Sequence, residues 1–245
     1  MDFVPANRLL DDGPGLREMA EEQGYLFVRG LLPEESLWRL RQVILSEAAE
    51  RGWLDPEAPL LDGIARAGMS TPAHDDPRFT DLQVAVHLLP AFEEVRSHPA
   101  LLRVLQNLFD GPVQTHCGDV CRMAFPDSFS QTTPPHQDQF FLKSEAETWT
   151  AWIPVGDCPR DLGALRVIPA SHKAGLMTHG PGSAGTIVEG ETPWATADFA
   201  CGDVLLFQYL TVHAARANLD PRRVRVSVDC RYRRLQGQGG VRSEK

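Results

Sequence analysis

Trp149-Thr-Ala-Trp152-Ile-Pro-Val155, closed by Gly156-Asp157, reads as a short β-strand ending in a turn. Working outward from it, the same pattern repeats. Val113–His116 and Val120–Phe125 lie upstream; Leu165–Ile168, Val204–Gln208 and Val224–Tyr232 lie downstream. Turn formers separate these runs: Pro126-Asp, Pro134-Pro135, Pro169, Gly180-Pro-Gly and Cys201-Gly-Asp203. Several short strands at this spacing predict an antiparallel sandwich or barrel.

Before Gly111 the period lengthens. Gly15–Gln23 reads as a short helix feeding a strand, Tyr25–Arg29, which Gly30 ends. Pro33-Glu-Glu-Ser opens a helix to about Ala49, with Leu37, Leu40, Val43 and Ile44 at helical spacing. Leu82–Leu89 and Ala91–Phe109 are helical in pattern, and Pro99 opens the last helix. Residues 52–80, rich in Pro, Asp and Gly, read as a long surface excursion or lid. Helices come first and strands after, with one early strand joining the sheet, so the class is α+β, mainly β. The expectation is one domain over 1–245: helical additions over 1–110 and a β core over 111–234.

The 245 residues suffice for one sizeable core, and 42% apolar with 23% charged residues is ordinary for a globular chain. No apolar run reaches the roughly 18–20 residues that span a bilayer. Met1–Pro14, with Asp2, Asp11 and Asp12, lacks a basic start followed by an apolar run. The expectation is therefore a cytoplasmic protein with no membrane partner. A net charge of −9 argues against nucleic acid. Arg222–Arg234 alternates with Val, Ser and Cys and reads as a strand, though a solvated charge run stays open for Arg231–Arg234. Five cysteines at irregular spacing, with no CxxC pair, predict buried reduced thiols rather than disulfides or a zinc cluster.

Thr132-Thr-Pro-Pro-His136-Gln-Asp138 places a His and an Asp two apart. In an extended segment such residues point to the same side, so both can bind one ion. His213, in Thr211-Val-His213-Ala-Ala-Arg-Ala-Asn218, follows an apolar run and supplies a third ligand. Two His and one carboxylate form a facial triad that suits Fe(II) and leaves positions for O2 and a chelating cosubstrate. Alone, HxD is a weak signal. His74-Asp75-Asp76 is a second match, and a lone strand His is commonly structural.

The frame around the triad carries more. Gly24-Tyr-Leu-Phe-Val-Arg-Gly30, Pro135-His-Gln-Asp138, Trp149-Thr-Ala-Trp152-Ile-Pro, Gly163-Ala-Leu-Arg-Val-Ile-Pro-Ala-Ser-His172-Lys, Gly202-Asp-Val-Leu-Leu-Phe, then His213 with Asn218, follow one another in order. From Tyr25 to Tyr232 the chain resembles the phytanoyl-CoA dioxygenase family. The resemblance implies a double-stranded β-helix (jelly-roll) core with helical additions, bound Fe(II), and 2-oxoglutarate as cosubstrate. In such enzymes O2 cleaves 2-oxoglutarate to succinate and CO2 while a substrate C–H bond is oxidised; the protein orients the parts.

The far carboxylate of 2-oxoglutarate needs a cation, and the final strand offers Arg222, Arg223, Arg225 and Arg231. Arg225-Val-Ser227 puts guanidinium and hydroxyl on one strand face, and related oxygenases use such a pair. Arg223 shares that face and is the second candidate. Trp152 falls where the family has a tryptophan beside 2-oxoglutarate; a core aromatic is the equal alternative. Gln131 and Thr133 lie close enough in sequence to touch the site. His172 reads as a turn residue, and His87, His98, His116 and His179 show no partner pattern.

Within this chemistry the expected outcome is hydroxylation or related oxidation of a small molecule; epimerisation, ring closure and desaturation stay open. Halogenation is disfavoured, because Asp138 fills the place a halide needs. A rival class is a cupin-like isomerase or hydrolase using Zn or Mn, which would not need the Arg225/Ser227 clamp. A non-catalytic binder would not need the complete triad. Residues 52–80 and 174–197, with Phe140, Phe141 and Lys143, border the expected pocket, but name no substrate. The oligomeric state is not legible.

Overall fold

The computed structural model describes residues 1–72, 76–126, 133–144, 146–180, 185–186, 188 and 192–235. Its first helix, α1 (Gly13–Gln23), is capped by Asp12, whose side chain accepts from Gly15 N at 3.1 Å. It stops at Gly24, which adopts a left-handed φ of 74° and turns the chain straight into β1 (Tyr25–Val28). α2 (Glu34–Glu50) carries Glu34 and Glu35 in its first turn, where they complement the helix dipole. α3 (Pro77–His87), α4 (Pro90–Arg96) and α5 (Pro99–Phe109) each begin on a proline, whose fixed φ suits a first turn.

The strands follow: β2 (Val113–Thr115), β3 (Val120–Ala124), β4 (Thr148–Pro154), β5 (Leu165–Val167), β6 (Ala195–Thr196), β7 (Val204–Gln208), β8 (His213–Ala215) and β9 (Arg225–Arg234). The larger sheet runs β1-β7-β4-β9. Along the free side of β9, β3 pairs with residues 225–229 and β2 with 232–234. β6-β5-β8 form the smaller sheet, and among the described residues the strands named here pair with one another antiparallel. This face-to-face pair of antiparallel sheets is the jelly-roll core that the resemblance implies.

Alternation along the strands splits the core in two. Leu26, Val28, Ala151, Ile153, Val204, Leu206, Val226 and Val228 face the helices. Tyr25, Phe27, Trp152, Leu205 and Phe207 face Leu165, Val167, Ala195 and Ala215 of the smaller sheet. Burying such a side chain contributes about 1.5–3 kcal/mol. Phe207 is 1% exposed, so Phe207→Ala would cost about 3–5 kcal/mol through the cavity it leaves between the sheets.

Several expectations change. α3 starts at Pro77 rather than Leu82, because Asp76 caps it. The excursion is not a free lid over its described part. Leu54 bridges Ala65, Ile64 bridges Arg223, and buried Trp53 packs edge-on against Phe125 at 6.2 Å. Its apolar anchors are too few to show a period. α6 (Asp138–Leu142), β6 and β8 are too short to have one. Among the described residues no helix is long and apolar enough to cross a membrane.

Candidate active site

His136 and His213, distant in sequence, exchange both backbone hydrogen bonds, at 2.9 and 3.0 Å, so the two residues sit opposite each other. Their rings lie 4.0 Å apart. His136 Nδ1 is 2.8 Å from Pro134 O and His213 Nδ1 is 3.0 Å from Thr211 O. A carbonyl can only accept, so each Nδ1 carries the proton and each Nε2 keeps its lone pair. Those Nε2 atoms lie 3.9 and 3.7 Å from Oδ1 of Asp138, and one ligand atom from each residue falls within 4.8 Å of the others.

Gln137 fixes the segment between the two proximal ligands. It is fully buried; its Nε2 donates to Gly175 O and Leu210 O, and its Oε1 accepts from Met177 N. Gln137 is extended, ψ 131°, and Asp138 begins α6, which aims the carboxylate back beside His136. Thr150 on β4 donates to Asp138 Oδ2 at 2.6 Å. Arg231 on β9 contacts the same carboxylate, with Nη2 3.2 Å from Oδ1.

Burial pushes both imidazoles below their ordinary pKa, in His136 helped by the neighbouring His213, so both are neutral and ready to ligate. Burial alone would raise the Asp138 carboxyl, but the Arg231 guanidinium and the Thr150 hydroxyl hold it well below the carboxylate range. Two neutral imidazoles and one ionised carboxylate suit iron(II) and leave coordination positions open.

The same cavity is lined by Arg225, Trp152, Phe207, Ala215, Arg122 and Thr133. Arg225 is 4% exposed; its Nη1 donates to Ser227 Oγ at 2.6 Å. Among the described residues it meets no carboxylate within ion-pair distance, and its Nε is buried with no hydrogen-bond partner. Trp152 Nε1 is likewise buried and unpartnered, and the Arg225 guanidinium lies 5.9 Å from the Trp152 ring. A buried cation and a buried donor without acceptors are costly unless an anion joins them. A dicarboxylate chelating a metal at the triad fits that need.

Arg223 does not join the cluster. β9 begins at Arg225, and Asp220 holds the half-exposed Arg223 outside with a 2.7 Å contact. Gln131 and His74 lie outside the described residues, and Asp76 serves as a helix cap. His172 Nε2 donates to Glu21 O, away from the cluster. Sequence pattern alone did not mark Thr150, Arg122 or Asp229, and the basic run 231–234 disguised Arg231, which is buried rather than solvated. Period-two alternation on β9 is the signal that places Arg225, Ser227, Asp229 and Arg231 on one inward face.

The family model for phytanoyl-CoA dioxygenase (PhyH) matches residues 20–225. The chain is 28% identical to a Streptomyces arenae 1-deoxypentalenic acid 11-beta-hydroxylase, across 98% of this chain and 87% of that protein. Similar structures include the epimerase SnoN in complex with Fe3+, alpha ketoglutarate and nogalamycin RO (TM-score 0.64, 18% identity, 91% of this chain and 84% of that one). Another is the non-heme alpha ketoglutarate dependent carbocyclase SnoK from nogalamycin biosynthesis (TM-score 0.64, 19% identity, 95% and 87%). At those identities the structures speak for the fold, while the family model spans most of the chain: it belongs to the phytanoyl-CoA dioxygenase family and is an iron(II)- and 2-oxoglutarate-dependent dioxygenase.

Proposed function

We propose that His136, Asp138 and His213 hold the iron, that Arg225 and Ser227 hold the far carboxylate of 2-oxoglutarate beside Trp152, and that the product is a hydroxylated small molecule. The observation that carries this is the buried Arg225, which meets no carboxylate within ion-pair distance among the described residues and lines the same cavity as the two ligand histidines. When bound, iron, 2-oxoglutarate and O2 together supply the oxidant for a C–H bond, and the cosubstrate leaves as succinate and CO2.

The chain's own residues do the rest. The Pro134 and Thr211 carbonyls fix both imidazole tautomers. Thr150 and Arg231 keep the Asp138 carboxylate ionised and oriented. Phe207 and Ala215 give the cavity apolar walls that limit water. Hydroxylation is favoured because relatives matched over nearly the whole chain are hydroxylases. Asp138 occupies the position that a halide would require. We read the chain as one domain, since β1 from the helical half completes the larger sheet, and we place it in the cytoplasm, where its five free cysteines stay reduced.

The test is succinate release by the purified protein. Release is expected only with Fe(II), O2 and 2-oxoglutarate together. Turnover of a substrate with Zn(II) and no 2-oxoglutarate would instead support the isomerase or hydrolase reading.

A further inference from the structure

The cavity holds a second cation besides the Arg225 that would clamp the far carboxylate of 2-oxoglutarate. Arg122 on β3 stands opposite Ser227 of β9 and lines the same cavity as His136, His213 and Arg225. Its Nε donates to Asp229 Oδ2 at 2.7 Å, which fixes the guanidinium plane. Its two Nη groups have no hydrogen-bond partner among the described residues, and its side chain is 24% exposed, so this edge is reachable from the open side.

Charge says what it would take. Three arginines (Arg122, Arg225 and Arg231) face two aspartates (Asp138 and Asp229), while Asp119 is taken by Arg96 outside the cavity. Fe(II) and the 2-oxoglutarate dianion cancel, so one positive charge remains, in a chain whose net charge is −9. A basic cavity in an acidic protein selects anions. The free edge of a guanidinium matches a carboxylate in two parallel hydrogen bonds, and one residual charge suits one carboxylate better than a phosphate dianion.

We propose that Arg122 binds a carboxylate of the primary substrate, so that the substrate is a small monocarboxylic acid. This rests on the oxygenase reading of the same site. Arg225 and Ser227 already serve the far carboxylate of 2-oxoglutarate; Arg122 discriminates among the molecules to be oxidised.

The experiment uses full-length protein loaded with Fe(II) and 2-oxoglutarate and follows succinate release. The probes are cyclohexanecarboxylic, adamantanecarboxylic and abietic acids, each beside its methyl ester. At least one acid should accelerate release above the substrate-free rate, and its ester should not. Arg122→Gln should raise the acid concentration for half-maximal stimulation about ten- to a hundredfold. Half-saturation by 2-oxoglutarate in the substrate-free reaction should stay within about twofold. Arg122→Lys, which keeps the charge and loses the fork, should fall between, and it carries the test if the Gln variant does not fold. Esters as effective as acids, no stimulation by any acid, or an equal loss of 2-oxoglutarate affinity would each overturn the proposal. Absence of substrate-free succinate release from the wild type would instead count against the oxygenase reading itself.

Discussion

Arg231 lies against Asp138, with Nη2 3.2 Å from Oδ1 and Nε 3.4 Å from Oδ2, and the two side chains are 5% and 4% exposed. The pair keeps a buried carboxylate ionised before any metal arrives. Removing one partner of such a pair leaves an uncompensated charge and costs about 3–5 kcal/mol. Arg231→Met should therefore lower the Tm of the metal-free protein. Added Mn(II) supplies a substitute positive charge, so its Tm increment should be larger in the variant than in the wild type. Differential scanning fluorimetry with and without Mn(II) measures this; equal increments would contradict it.

Acid should loosen the same cluster. Burial lowers the pKa of His136 and His213, and His172 shifts the same way. A histidine whose folded pKa is depressed stays neutral in the native state, while the unfolded chain takes up its proton near pH 6.5. Its contribution is thus complete above about pH 6.5 and is lost as pH falls toward the folded value, at up to about 1.4 kcal/mol per pH unit for each histidine. Asp138, also depressed, acts in the same sense at lower pH. Metal-free Tm should be flat above about pH 7 and fall below about 6.5, and saturating Mn(II) should move that fall to lower pH. A Tm that rises on acidification from pH 7 to 5.5 would refute it.

How much of this was legible follows from element length and from pairing. β3, β4, β7 and β9 announce themselves because five to ten residues of strand pattern stand between Gly and Pro breakers. β8 has three residues, so His213 emerges from the spacing of a family frame rather than from periodicity. Alternation alone puts Arg223 and Arg225 on one face. It cannot show that β9 begins at 225, or that Asp220 draws Arg223 outward. Arg231 heads a basic run for which a solvated face stays open; alternation from Arg225 puts it on the inward face, and its position opposite Thr150 in the β4–β9 register brings it to Asp138. Long-range pairing of this kind leaves no local trace.

Gly24 tests how the helical half is joined to the sheet. Its φ is 74°, and a Cβ there would collide with His172 Nδ1 and Thr211 Oγ1, while Thr211 Oγ1 donates to the Gly24 carbonyl at 2.7 Å. Gly24→Ala should cost about 1–3 kcal/mol from the left-handed backbone alone. His172→Ala removes the nearer obstacle but not the φ penalty, so the double variant should recover only part of the loss. Urea unfolding of the three variants measures it, and a neutral Gly24→Ala would show that the junction relaxes.

Arg225 sets stability against function. Its guanidinium is buried, burial lowers its pKa, and its Nε lacks a partner, so the ligand-free fold carries an unfavourable charge. Met fills a similar volume without that charge, and replacing an uncompensated buried ion with an apolar side chain is often stabilising. Arg225→Met should therefore match or exceed the wild-type Tm in the absence of ligands. Mn(II) binding should be retained, because the triad is untouched. 2-Oxoglutarate, which raises the wild-type Tm by binding the folded state, should give the variant almost no increment, since a charge-assisted bidentate contact is worth about 1.5–3 kcal/mol. Arg223→Met, whose side chain lies outside with Asp220, should leave the 2-oxoglutarate increment intact. If Arg223→Met abolishes the increment and Arg225→Met does not, the carboxylate sits one residue pair earlier on the strand than the buried cation indicates.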